Sequence, residues 1–172
     1  MFNKKFVITA FPRTGSTLVR HNLSNYFGTF IEHTHDRSYL PPSDDFTAVV
    51  TRRRNVFDCV CSHFVMLHTG EMNIYSSQEF DRFDINLKDF RDLVQAHTDY
   101  YKELDLSCYR QVVEVWFEDM IADPWYLFGQ FNIVEKTSYG VEKSPNRYQQ
   151  LVKNIDEVYT CYQSLNKTGR AL

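Results

Sequence analysis

No apolar run in this chain approaches the roughly 20 residues that a bilayer-spanning helix needs. The first such run, residues 6–11, stops at Pro12 and is too short for the core of a secretory leader. No membrane span and no leader are therefore expected, and the expected location is the cytoplasm. A basic excess is missing as well: 19 Lys and Arg stand against 22 Asp and Glu, for a formal charge of -3. General nucleic-acid binding usually requires the opposite balance, so any anion site must be local. Cysteine is sparse and unpatterned. Cys59 and Cys61 sit two apart, which suits neither a redox pair nor a zinc knuckle, and Cys108 and Cys161 complete no metal set. These four read as free, mostly buried thiols of a reducing compartment, and no metal is implied.

What is present is core-forming material. Hydrophobic residues make up 43% of the 172 and aromatics 16%, which argues against disorder over most of the length. One domain spanning residues 1–172 is expected, with 166–172 as a frayed tail. β-Prone apolar runs lie at residues 6–10, 29–32, 46–51 and 112–117. Helical spacing appears at residues 17–27, 56–67, 87–104, 120–131 and 145–165, and residues 33–45 and 70–86 read as loops, the latter as a loop or lid. Strands alternating with helices predict an α/β domain with a mostly parallel sheet covered on both faces. In such sheets ligands collect beyond the carboxyl ends of the strands.

Two polar clusters fall at such ends. Pro12-Arg13-Thr14-Gly15-Ser16-Thr17 lies between the first strand and the first helix. A loop of small residues there turns backbone N–H groups outward at the positive end of the helix dipole. Gly15 permits close backbone approach, Ser16 and Thr17 offer hydroxyls, and Arg13 offers a charged planar fork. The alternative is an ordinary turn, with Thr14 or Ser16 capping the helix and Arg13 in solvent. A nucleoside-triphosphate P-loop needs Gly-x4-Gly-Lys-Ser/Thr. Here Ser16 follows Gly15 where lysine belongs, and Ala10 stands in place of the first glycine.

The second cluster, Thr51-Arg52-Arg53-Arg54-Asn55, ends the third strand, with Asn55 as a helix cap. Arg54, Asp58 and Ser62 recur four apart, which sets Asp58 and Ser62 on one helix face with Arg54 at its entry. Arg54 and Ser62 suit a second phosphate. The plainer alternative pairs Arg54 with Asp58 and leaves the three arginines solvated.

Taken together, Phe11-Pro12-Arg13-Thr14-Gly15-Ser16-Thr17-Leu18 and Arg54-Asn55-Val56-Phe57-Asp58-Cys59-Val60-Cys61-Ser62 resemble the sulfotransferase superfamily, which uses 3′-phosphoadenosine-5′-phosphosulfate. Val115-Trp116-Phe117-Glu118-Asp119-Met120 with Asp123-Pro124 is similar to a later segment of that family. Lys143-Ser144-Pro145 and the helix containing Asn154 are similar to the C-terminal part of its small bacterial and viral members. The resemblance implies a P-loop-like three-layer α/β/α fold and a nucleotide sulfuryl donor held without a metal. Arg13, Thr14, Gly15, Ser16, Thr17 and Leu18 would surround the 5′ end, and Arg54 and Ser62 the 3′-phosphate. Arg13 would neutralise charge on the leaving phosphate. Thr34-His35 matches the family's threonine–histidine pair, so His35 would act as base, with His33 and Glu32 as rivals. Leu18 stands where many members carry an adenine-stacking tryptophan, Val56 where they carry proline, and Asn166-Lys167-Thr168-Gly169-Arg170 only echoes their closing loop. The acceptor is a hydroxyl or an amine of open identity, for which residues 70–86 and Tyr100, Tyr101, Trp116, Trp125 and Tyr126 offer cleft material or core packing. A nucleotide or nucleoside kinase with a degenerate P-loop, and a non-catalytic nucleotide-binding module, are the alternatives. Oligomeric state is open.

Overall fold

A computed structural model describes residues 5–29, 31–41, 45–71, 79–123, 125–133 and 148–167. They group into two compact units. The first draws on Met1–Arg54 and Glu103–Glu142, and the second on Asn55–Lys102 and Lys143–Leu172.

The first unit is built on a parallel sheet of strands β1 (Lys5–Ala10), β2 (Ile31–Thr34), β3 (Phe46–Arg52) and β4 (Gln111–Trp116), in the order β2-β1-β3-β4. All three pairings are parallel, as the apolar runs predict for strands buried on both faces. Helix α1 (Ser16–Phe27) follows β1 and ends on Gly28, which at φ 57° adopts the left-handed conformation and returns its N–H to Ser24 O at 2.9 Å. Val19 and Leu23, four apart and fully buried, lay α1 against Phe6, Ile8, Val49 and Val115 of the sheet. Helices α4 (Phe117–Ala122) and α5 (Tyr126–Gly129) add Met120 and Leu127 to the same cluster. Phe6 anchors it, with ring centroids 5.0 Å from Phe27 and 5.4 Å from Phe131. Val7 and Ala48 point to the other face with Tyr109.

In this unit three element boundaries depart most from the sequence-based expectation. The second strand is Ile31–Thr34 rather than residues 29–32, because pairing with β1 runs from Phe6↔Ile31 to Thr9↔Thr34. His33 and Thr34 are therefore strand residues, and His35 is the first residue beyond. Phe117 opens α4 rather than ending β4. The helix expected at 120–131 is broken after Ala122. Asp123 is extended (φ -133°, ψ 105°), as a residue before proline prefers, and its carboxylate accepts the N–H of Trp125 at 2.9 Å.

The second unit is helical: α2 (Val56–Thr69), α3 (Leu87–Lys102), α6 (Tyr148–Leu151) and α7 (Ile155–Lys167). Asn55 caps α2 as expected, accepting the N–H of Asp58 at 3.0 Å. Phe57, Val60, Phe90, Val94, Leu151 and Val158 form its core. The single helix expected at 145–165 is two helices. Val152 leaves the helical path to bridge Phe83, and Asn154 clasps Ile85 by accepting its N–H and donating to its carbonyl, both at 2.9 Å. The final helix runs through Lys167, so the start of the expected frayed tail is ordered as helix. Lys143-Ser144-Pro145 and residues 168–172 lie outside the described residues. No helix among those described is long and apolar enough to cross a membrane.

Candidate anion-binding site

From β1 the chain first passes to β2 on one side, then to β3 on the other. The carboxyl ends of β1 and β3 therefore flank the point where the winding reverses, the usual crevice for ligands in an open parallel sheet. Both polar clusters of the sequence begin there: Arg13 to Thr17 after β1, and Arg53 and Arg54 after β3.

The loop after β1 is conformationally unusual. Arg13 and Gly15 both take positive φ, 69° and 87°. Gly15 is the N-cap of α1, and no side chain caps that helix; its first turn holds no acidic residue. The alternative reading, in which Thr14 or Ser16 caps α1, is thus not met. Thr14 is fully buried and its hydroxyl serves the loop, donating to Phe11 O at 2.8 Å and lying 2.8 Å from Thr51 Oγ1 at the end of β3. Its side chain is turned into the fold. Leu18 packs into the sheet–helix core. From Arg13 to Thr17, Thr17 alone is exposed, and Arg13 and Gly15 are half-buried.

Gly15 is required for a second reason. A β-carbon there would lie 2.6 Å from Phe117 Cδ2 and 3.2 Å from Met120 Cε. The loop is pressed against α4, and Phe117 in turn carries the guanidinium of Arg53 over its ring at 4.7 Å. Arg53 is buried and donates from Nη1 to Arg13 O at 3.3 Å. It therefore ties the β3 end to the β1 loop, a role sequence reasoning missed because it weighed Arg54. The arginine triplet is not a solvated run. Arg52 pairs with Glu114 at 2.9 Å on the neighbouring strand. Arg54 makes a forked ion pair with Asp119, at 2.6 and 2.9 Å, lies over Trp116 at 4.8 Å, and takes the Glu118 carboxylate on its backbone N–H at 3.1 Å. Its partner is Asp119 rather than the Asp58 that helical spacing suggested. The hydrogen bond to Arg54 holds the Asp119 carboxyl below its ordinary range.

Comparison with family models, with curated proteins and with solved structures finds no match. The site must therefore be read from its own chemistry.

Two histidines stand at the end of β2. His35 Nδ1 lies 2.7 Å from Ala10 O. A carbonyl only accepts, so Nδ1 carries the proton, and in the neutral ring Nε2 is left as the acceptor. His35 is exposed. His33 is half-buried, with Nε2 2.9 Å from the hydroxyl of Ser16 and its ring 4.7 Å from that of His35. Burial foremost, then the charges of His35 and Arg20, push the His33 pKa down to about 4. The histidine pair thus divides: His33 engages the loop serine, and His35 presents a basic nitrogen to solvent. The Ser16–His33 contact had no sequence signal, because it depends on the two-residue shift of β2.

In the second unit Asp58 and Ser62 lie one turn apart on α2. Asp58 accepts a short hydrogen bond from the hydroxyl of Tyr148, and Ser62 is half-buried. Arg13, Gly15, Ser16, Thr17, His35 and Arg54 all belong to the first unit, and Ser62 to the second.

Proposed function

We propose that this chain is a sulfotransferase that moves a sulfuryl group from 3′-phosphoadenosine-5′-phosphosulfate to a hydroxyl or amine acceptor, on a P-loop-like three-layer α/β/α fold. The observation that carries the reading is the α1 N-terminus: a helix with no side-chain cap, opening directly beyond β1 at the sheet's reversal point, with Arg13 beside it. Uncapped N–H groups, the helix dipole and an arginine together favour a multiply charged anion.

In this reading the α1 N–H groups, Thr17 and Arg13 hold the 5′-phosphate and neutralise the charge its bridging oxygen gains as the sulfur–oxygen bond breaks. His35 takes the acceptor's proton through Nε2 as the acceptor–sulfur bond forms, and Ala10 fixes the tautomer. His33 is the weaker candidate for base, since its Nε2 faces Ser16 and its pKa is low. Arg54 receives the 3′-phosphate, exchanging Asp119 for the ligand. The products are adenosine 3′,5′-bisphosphate and the sulfated acceptor.

Thermal-shift titration with adenosine 3′,5′-bisphosphate against ATP with magnesium tests the reading. A ligand that binds only the folded state stabilises it as RT ln(1 + [L]/Kd). Preferential stabilisation by the bisphosphate, lost in Arg13→Ala, is expected. Preference for ATP with magnesium would point to a kinase instead. Bisphosphate binding with no transfer to any acceptor in a labelled-donor screen would reduce the chain to a binding module.

A further inference from the structure

The helical unit carries a cleft of its own, about 620 Å³ in volume, within the usual range for small-molecule sites. It lies between the start of α2, the short helix α6 and the first turns of α7. Four aromatic rings line it: Phe57, Tyr148, Tyr159 and Tyr162. Phe57 is the hub, its centroid 5.9, 5.2 and 5.5 Å from those of the three tyrosines. Two carboxylates, Asp58 and Asp156, share the lining, and no lysine or arginine does among the described residues.

This combination selects a chemical class. An anion would meet two like charges. A neutral apolar group would remove water from carboxylates without answering them. A bare metal ion would use the carboxylates and gain little from the rings. An organic cation satisfies both, since ring faces carry negative charge density and attract ammonium groups within about 6 Å of the centroid. Tyr148 reports the local field. Its hydroxyl donates to Asp58, and burial first, then that carboxylate, push its pKa upward. Burial disfavours charge of either sign, but the Asp58 contribution is one that a positive charge would reverse.

We propose that this cleft binds an organic ammonium ion, its charge set against Asp58 and Asp156 and its alkyl groups against the tyrosine rings. The inference does not rest on the sulfotransferase reading, because every lining residue lies in the helical unit.

The test compares choline with its uncharged carbon analogue 3,3-dimethylbutan-1-ol by NMR titration of the whole chain. Choline is expected to shift resonances of Tyr159 and Tyr162 and to bind at least about tenfold tighter than the alcohol, the margin a partly desolvated cation–π contact supplies. Asp156→Asn and Tyr159→Ala, both at exposed positions, should each weaken choline by roughly three- to tenfold, with a fall in melting temperature of at most about 5 °C for Tyr159→Ala, which gives up its ring contact with Phe57. Equal binding of the two probes, absence of binding by either, or choline shifts that survive both substitutions would overturn the proposal.

Discussion

The imidazole Nδ1 of His35 and the carbonyl oxygen of Ala10 lie 2.7 Å apart, joining the residue just past β2 to the last residue of β1. The bond orients the imidazole from the neighbouring strand toward the end of β1. His35→Gln removes the proposed base but none of the proposed phosphate contacts. Transfer is expected to fall by roughly 10²- to 10⁴-fold, the usual range for a lost general base. The Kd for adenosine 3′,5′-bisphosphate should stay within twofold of wild type, roughly the scatter of a residue outside the contact. Single-turnover kinetics beside calorimetry would separate the two, and wild-type transfer would remove His35 from the mechanism.

The Arg54–Asp119 pair occupies the arginine assigned to the 3′-phosphate. In Asp119→Asn the competing carboxylate becomes a neutral amide, and the guanidinium no longer trades one anion for another. Affinity for the bisphosphate should rise by roughly fivefold, with no comparable gain for adenosine 5′-phosphate, which lacks the 3′ group. Equal gains for both nucleotides would place the 3′-phosphate elsewhere.

Gly15→Ala meets two penalties at once, a left-handed backbone and a β-carbon 2.6 Å from a phenylalanine ring atom. A loss of about 2–4 kcal/mol is expected, or a drop of roughly 5–12 °C in melting temperature for a chain of this size. Because Phe117 supplies the clash, Phe117→Leu in the same chain should recover part of the loss. Calorimetry of the single and double variants checks both statements.

His33 makes stability depend on pH. Its folded pKa, about 4, lies below the ordinary 6.5. Between these values the unfolded chain binds more protons than the native one, so stability is full above pH 6.5 and is lost as pH falls toward 4. His33 is half-exposed, and solvent screening trims the loss to about 1–2 kcal/mol. In His33→Gln, which retains a partner for Ser16, denaturation midpoints measured from pH 7 to 4 should lose that slope.

Local pattern carried much of this architecture. The four strands, the parallel sheet, the Asn55 cap and the α2 and α3 helices were legible because each depends on nearby residues: β-branched runs, a side chain that accepts three positions on, apolar spacing along one face. The misreadings share one cause, competition from distant partners. Thr29 sits in an apolar run, yet pairing with β1 starts the strand at Ile31. Val152 continues the helical pattern, but Phe83 draws it off the helix. Arg54 and Asp58 have helical spacing, and Asp119 takes the arginine from 65 positions away. The candidate anion loop was visible as small residues between strand and helix. Its support was not: Thr14 to Thr51, Arg53 to Arg13, and Gly15 under Phe117 are contacts between segments no local window spans.

Arg13 sits at φ 69°, a conformation that L-residues adopt at a penalty of about 1–2 kcal/mol. Exchange for glycine relieves that penalty, offset in part by the greater freedom glycine gives the unfolded chain. Arg13→Gly should therefore gain about 0.5–1 kcal/mol in chemical denaturation while abolishing bisphosphate binding. Robustness and chemistry compete for this single position. A screen for heat tolerance alone would discard the guanidinium, whereas a screen for the proposed transfer would keep it and accept the lower melting point.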